Sequence, residues 1–138
     1  MSTVGSGYTL SITTDHAFGP AVNRVREELA RNGFGVLFEI DMRATLKRKL
    51  GVDREPYLIL GACSPPLAHR ALEAEPELGV LLPCNVVVYC ERGETRIAAV
   101  DAERLLSLAD SDELGDTASE AARRLAAVIV EAADRQPE

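Results

Sequence analysis

Three cysteines, at positions 63, 84 and 90, carry the softest side chains of the sequence. Cys63 ends an apolar run and directly precedes Ser64-Pro65, a helix start with Ser at the N-cap and Pro at N1. Near a helix N-terminus, exposed N–H groups and the helix dipole can raise the thiolate fraction, so Cys63 is a candidate reactive thiol. The same position also suits a free cysteine acting as a small buried hydrophobe. Cys84 follows Pro83 at the entrance to another apolar run, and His69 lies between the two thiols. Two thiolates and an imidazole would suit Zn²⁺ or Cu⁺, which makes Cys63, His69 and Cys84 the metal candidates. Their spacing, five and then fourteen intervening residues, matches no recognised metal pattern. Cys90 falls inside a strand pattern and reads as core.

Two further candidates carry charge. Asp41 ends a strand pattern, where it can serve as a general acid or base or cap the helix that follows. Lys47 belongs to a basic stretch with Arg43, Arg48, Lys49 and Arg54, which could hold a phosphate or carboxylate. Cations near a helix C-terminus also offset its dipole and solvate a face. The sequence has no phosphate loop, no GxSxG elbow and no HExxH pair.

The elements that must position these residues follow from periodicity. Tyr8, Leu10 and Ile12 alternate with polar neighbours and predict a strand with one buried face. Phe18, Val22, Val25 and Leu29 predict an amphipathic helix, with Asp15 as its cap and Gly33 just beyond its end. A second strand spans Val36 to Asp41, and a short basic helix runs from Arg43 to Leu50 with Met42, Leu46 and Leu50 on one side. The run Tyr57 to Cys63 is apolar on both sides and predicts a strand inside the sheet. The helix after Ser64 turns Leu67, Ala71 and Leu72 inward and ends before Pro76. Val86 to Cys90 and Thr95 to Val100 form a β-hairpin around Glu91-Arg92-Gly93-Glu94. Asp101 caps a short helix, and Thr117-Ala118-Ser119-Glu120 reads as a capping box opening the last one. The apolar Gly79–Pro83 stretch reads as a buried turn against something else.

The whole is one α+β domain over residues 1–138, with an ordered core at about 7–133. Its formal charge of −7 argues against nucleic-acid binding and against adhesion to anionic membranes. The polar start and the odd cysteine count place it in the cytoplasm with reduced thiols.

Three blocks in order resemble a known family. They are Glu39-Ile40-Asp41 with Ala44 to Gly51, Gly61-Ala62-Cys63-Ser64-Pro65-Pro66-Leu67-Ala68, and Leu81-Leu82-Pro83-Cys84-Asn85-Val86-Val87-Val88. Together they are similar to family 302 of the domains of unknown function, and the likeness runs from about Tyr8 to Ala133. Asn often stands in that family where this chain has Ser64, and both residues cap helices. The resemblance implies a fold related to the TATA-binding-protein-like class: a curved, mainly antiparallel five-stranded sheet with helices on one face. Its β-α-β4-α core would carry the shorter helices as insertions. The resemblance also implies a homodimer, and it supplies no activity and no cofactor.

Two functions fit these observations. One is a non-enzymatic domain that binds a small ligand or a partner through the Gly79–Pro83 segment and the sheet–helix crevice. The other is a thiol-dependent sulfur, redox or soft-metal protein that uses Cys63 with Cys84 and His69.

Overall fold

The structure, a computed structural model, describes residues 4–5, 7–109 and 111–134. Most of the polar N-terminal run, and Asp110, lie outside the described residues. The chain order is β1 (Val4–Gly5), β2 (Thr9–Thr14), α1 (Phe18–Arg31), β3 (Gly35–Asp41), α2 (Met42–Leu50), β4 (Tyr57–Cys63), α3 (Pro65–Ala74), β5 (Cys84–Glu91), β6 (Glu94–Val100), α4 (Ala102–Leu106) and α5 (Gly115–Ala133). Five strands stand where the sequence pattern predicts them. The two-residue β1, too short to leave a period in the sequence, adds a sixth at the edge of β2.

The strands lie in the order β1-β2-β6-β5-β4-β3, and every neighbouring pair is antiparallel. Register puts Ile12 opposite Ile97, Ile97 opposite Val88, and Leu60 opposite Val86, so alternate residues share one face. That face is the core. Val22, Val25 and Leu29 of α1 and Leu125, Val128 and Ile129 of α5 pack on it. Each such side chain contributes roughly 1.5–3 kcal/mol when fully buried. On the opposite face Tyr57, Ile59, Val87 and Tyr89 are half-buried.

The β5–β6 hairpin closes through Arg92 (φ 54°) and Gly93 (φ 81°), with Glu91 paired to Glu94. Two consecutive left-handed residues are what a two-residue primed turn needs, and Gly93 adopts that region without a Cβ clash. Gly61 meets a different constraint. The Phe38 ring lies over it, and a Cβ there would stand 2.4 Å from Phe38 Cζ.

Several local expectations are corrected. The N-cap residue of α1 is Ala17, which has no side-chain acceptor, and not the expected Asp15. α5 begins at Gly115, two residues before the expected capping box, and Thr117 is buried inside its first turns. Leu72 points outward at 40% exposure, while Leu67 and Ala71 face inward as expected. α2 joins the edge strand β3 to its neighbour β4 and packs chiefly on them, and none of its residues is fully buried. Leu78 is buried in a second small cluster with Ala71, Leu106, Leu114 and Ala118, and Leu81 and Leu82 pack against it. Of the apolar Gly79–Pro83 stretch, Leu81, Leu82 and Pro83 are half-buried, Gly79 is exposed, and Val80 is left outside at 85% exposure. No helix among the described residues is long and apolar enough to cross a membrane.

Candidate functional site

Antiparallel pairing of β4 with β5 sets Ala62 opposite Cys84, so the C-terminal end of β4 and the start of β5 lie together. The chain leaves β4 at Cys63 and turns into α3 at Ser64. It reaches β5 through the cis Leu82–Pro83 peptide bond. Between these two crossings is a small cleft of about 30 Å³, lined by Cys63, Ser64, Leu67, Pro83 and Cys84, with Thr117 from α5. That volume suits a single water-sized group.

The cleft holds few polar atoms. Cys84 is buried, and its thiol pKa rises from 9.0 to about 11, first through burial and then through the nearby Cys63. It is a neutral thiol at neutral pH. Cys63 is half-buried and, like Cys84 and Cys90, is not in a disulfide. Ser64 is only 3% exposed, and its Oγ has no hydrogen-bond partner. The residue occupies the N-cap position of α3, yet its hydroxyl accepts nothing from the helix. The helix itself is a poor anion cradle. Pro65 and Pro66 fill its first two positions and bring no N–H, and the Ala68 N–H already donates to the Ser64 carbonyl at 2.8 Å. The expected anion-stabilising first turn is thus short of donors, and the cleft favours neutral groups.

The structure brings Cys63, Ser64 and Cys84 together and places the other candidates elsewhere. His69 is exposed on α3 and does not line the cleft. Among the described residues, no three His, Cys, Asp or Glu side chains come together as a metal-holding group, so His69 does not join the two thiols. Asp41 pairs with Leu58, near the start of β4, whereas Cys63 is at its end. There the Asp41 carboxylate accepts from the Ala44 N–H at 2.9 Å, so it is the cap of α2. Lys47 forms an exposed ion pair with Asp53 at 2.9 Å. These two residues serve α2 and its loop and lie away from the cleft. Cys90 is half-buried, with Sγ 3.8 Å from Thr95 Oγ1.

Sequence reading missed the walls that come from afar. Phe34, Leu106, Thr117 and Ala121 reach the cleft from three other segments, the last two from α5, and no local period announces them. It also missed the open sheet face, where the Tyr57 and Tyr89 rings stack at 5.3 Å. The outward alternation of both tyrosines in their strands was the available signal.

Residues 10–132 match the family model described as "Domain of unknown function DUF302". Among solved structures, the crystal structure of an uncharacterized conserved protein DUF302 from Bacillus stearothermophilus is similar, with a TM-score of 0.86 and 30% sequence identity. The match covers 92% of this chain and 99% of that one. No curated protein matches the chain.

Proposed function

Since the chain belongs to the DUF302 family, a domain of unknown function, we propose its role from its geometry: a homodimeric domain that binds the uncharged end of a small ligand in the Cys63–Ser64–Cys84 cleft. One observation carries this reading. The Ser64 hydroxyl is buried at the cleft without a hydrogen-bond partner. A buried polar group left unsatisfied costs roughly 1–3 kcal/mol, and a ligand carbonyl, amide or hydroxyl would recover that. The apolar lining and the neutral Cys84 thiol select against a charged head group. Such a site suits binding better than catalysis, which needs more convergent polar groups. Free thiols and an acidic charge of −7 suit a reducing cytoplasm and a ligand other than nucleic acid or anionic membrane.

The test is an NMR titration with small neutral amides, N-methylacetamide and isobutyramide. Backbone amide shifts should cluster at Ala62–Ser64, Leu67 and Cys84 and shrink in Ser64→Ala. Shifts spread evenly over the surface, or none at these residues up to the solubility limit, would defeat the reading.

A second reading is favoured by the presence of two free thiols, Cys63 and Cys84, at one cleft. It makes Cys63 a thiol for sulfur, redox or soft-metal chemistry, with Cys84 as its neutral neighbour. Alkylation rates across pH, with and without Cu⁺ or Zn²⁺, separate the two. The thiol reading requires Cys63 to outpace Cys90 and to be protected by the metal. Equal rates, insensitive to metal, leave the binding reading alone.

A further inference from the structure

The open face of the sheet holds a second concavity, independent of the cleft. It is a trough of about 730 Å³, within the range of roughly 300–1,000 Å³ common to small-molecule sites. Val87, Ala98 and Val100 line its floor in the middle of the sheet. Aromatic residues make up only 4% of the chain, and all three of its tyrosines, Tyr8, Tyr57 and Tyr89, line this one trough. Tyr57 and Tyr89 are cross-strand neighbours with rings stacked 5.3 Å apart, and the Arg54 guanidinium sits 4.8 Å from the Tyr57 ring centroid.

We infer that this trough binds a planar aromatic carboxylate, its ring laid against the tyrosines and its carboxylate on Arg54. Ring faces of this kind select flat ligands, and the small side chains of the floor allow close approach. The charge follows from how the nearby groups are engaged. Arg54 forms no ion pair with a carboxylate among the described residues, and its Nε donates only to the Glu55 carbonyl at 3.3 Å. The two carboxylates that border the trough face other partners. Glu55 accepts from the Gly93 N–H at 3.4 Å, and Glu91 lies 3.8 Å from Arg96. A guanidinium that faces no carboxylate among the described residues, at the rim of a ring-lined trough, can hold a carboxylate in two parallel hydrogen bonds.

The chain has no tryptophan, so its tyrosine emission reports on this trough directly. Titration with 1-naphthoate, corrected for probe absorption, should quench that emission saturably. The neutral 1-naphthamide should bind about tenfold or more weakly, as should naphthoate to Arg54→Gln, because each loses a charge-assisted hydrogen bond. Tyr89→Leu should weaken both probes. Arg54 is exposed, so Arg54→Gln keeps the fold, and an unchanged urea midpoint verifies it. Absence of saturable quenching at millimolar naphthoate, or equal affinity in Arg54→Gln, overturns the inference. Quenching that appears only once a dimer is dissociated would assign this face to a second copy and overturn it as well.

Discussion

Burial acts on Cys84 and Ser64 in different ways, and each leaves a measurable trace. The Cys84 thiol is raised from 9.0 to about 11, so the unfolded chain ionises first as pH climbs. Its contribution to stability is fully present below pH 9 and is lost as pH rises through about 11. The loss should reach about 2–3 kcal/mol by the linkage relation. Tyr89, also raised by burial, acts in the same direction, so the wild type alone does not isolate the thiol. Urea unfolding of wild type and Cys84→Ala at pH 8 and pH 11 does. The variant should start less stable but lose less on going alkaline; equal losses would place the Cys84 thiol in contact with water. Ser64 makes the opposite prediction from an ordinary cap. Replacing a capping serine with alanine costs about 1 kcal/mol, whereas deleting a buried hydroxyl without a partner should stabilise by up to about 1 kcal/mol. A clear loss of stability in Ser64→Ala would mean that the hydroxyl caps α3 after all.

The C-terminal end of α5 illustrates what decides an element's limits. Its last carbonyls are taken by side chains from far upstream. Arg24 donates through Nε to Ala132 O at 2.8 Å and through Nη2 to Glu131 O at 2.7 Å, and Thr14 Oγ1 donates to Ala133 O at 2.8 Å. A guanidinium at this end also meets the negative pole of the helix. Arg24→Ala should therefore cost about 1–2 kcal/mol in urea unfolding, with the loss centred on hydrogen-exchange protection in the last turn of α5. An unchanged midpoint would make the clasp ornamental. These bonds also explain what could be read in advance. The strands were legible because Leu10 and Ile12 alternate with polar neighbours while Tyr57–Cys63 and Val86–Cys90 are continuous apolar runs, and both patterns are local. So were the α1 and α5 stripes. The starts of α3 and α4 were legible too, since Ser64 stands at the N-cap of α3 and Asp101 caps α4, whereas the starts of α1 and α5 were not. Thr117 and Ala118 carry a capping pattern but are buried, because packing draws the helix back to Gly115. Ser64 was placed correctly at the end of β4, but its missing hydrogen bond depends on the packed cleft around it. Cys63 and Cys84 could be brought together by reasoning about strand ends. Separating His69 from them required the orientation of α3, which the sequence pattern does not encode.

At the scale of the molecule, the distribution of exposed apolar groups locates the proposed dimer. Tyr8, Leu72, Val80, Leu108 and Val130 are exposed on separate elements, and single exposed apolar side chains are ordinary. Leu37, Phe38, Ile40, Leu50 and Val52 are different, since they fall on one continuous stretch, β3 with α2 and its following loop. β3 is also the outermost strand, so one row of its backbone groups has no strand beside it. A long apolar edge strand invites pairing with another chain. A second copy paired through β3 by a twofold axis would extend the sheet and cover Leu37, Phe38 and Ile40 on both sides. Such a pairing would lie away from Gly79–Pro83, whose half-buried leucines pack against the second cluster. The basic residues Arg43, Lys47, Arg48 and Lys49 of α2 would repel their symmetry mates, so the association should strengthen with salt. Sedimentation at micromolar concentration should give a particle of about twice the 14.9 kDa chain mass. Leu37→Lys and Ile40→Lys should each shift it to monomer with the circular dichroism unchanged, because both side chains are exposed in the single chain. Val80→Lys, a substitution of similar size and charge at the most exposed apolar residue, should leave the dimer intact. A wild-type monomer would remove the dimer altogether. Dissociation by Val80→Lys alone would move the interface back to the Gly79–Pro83 turn.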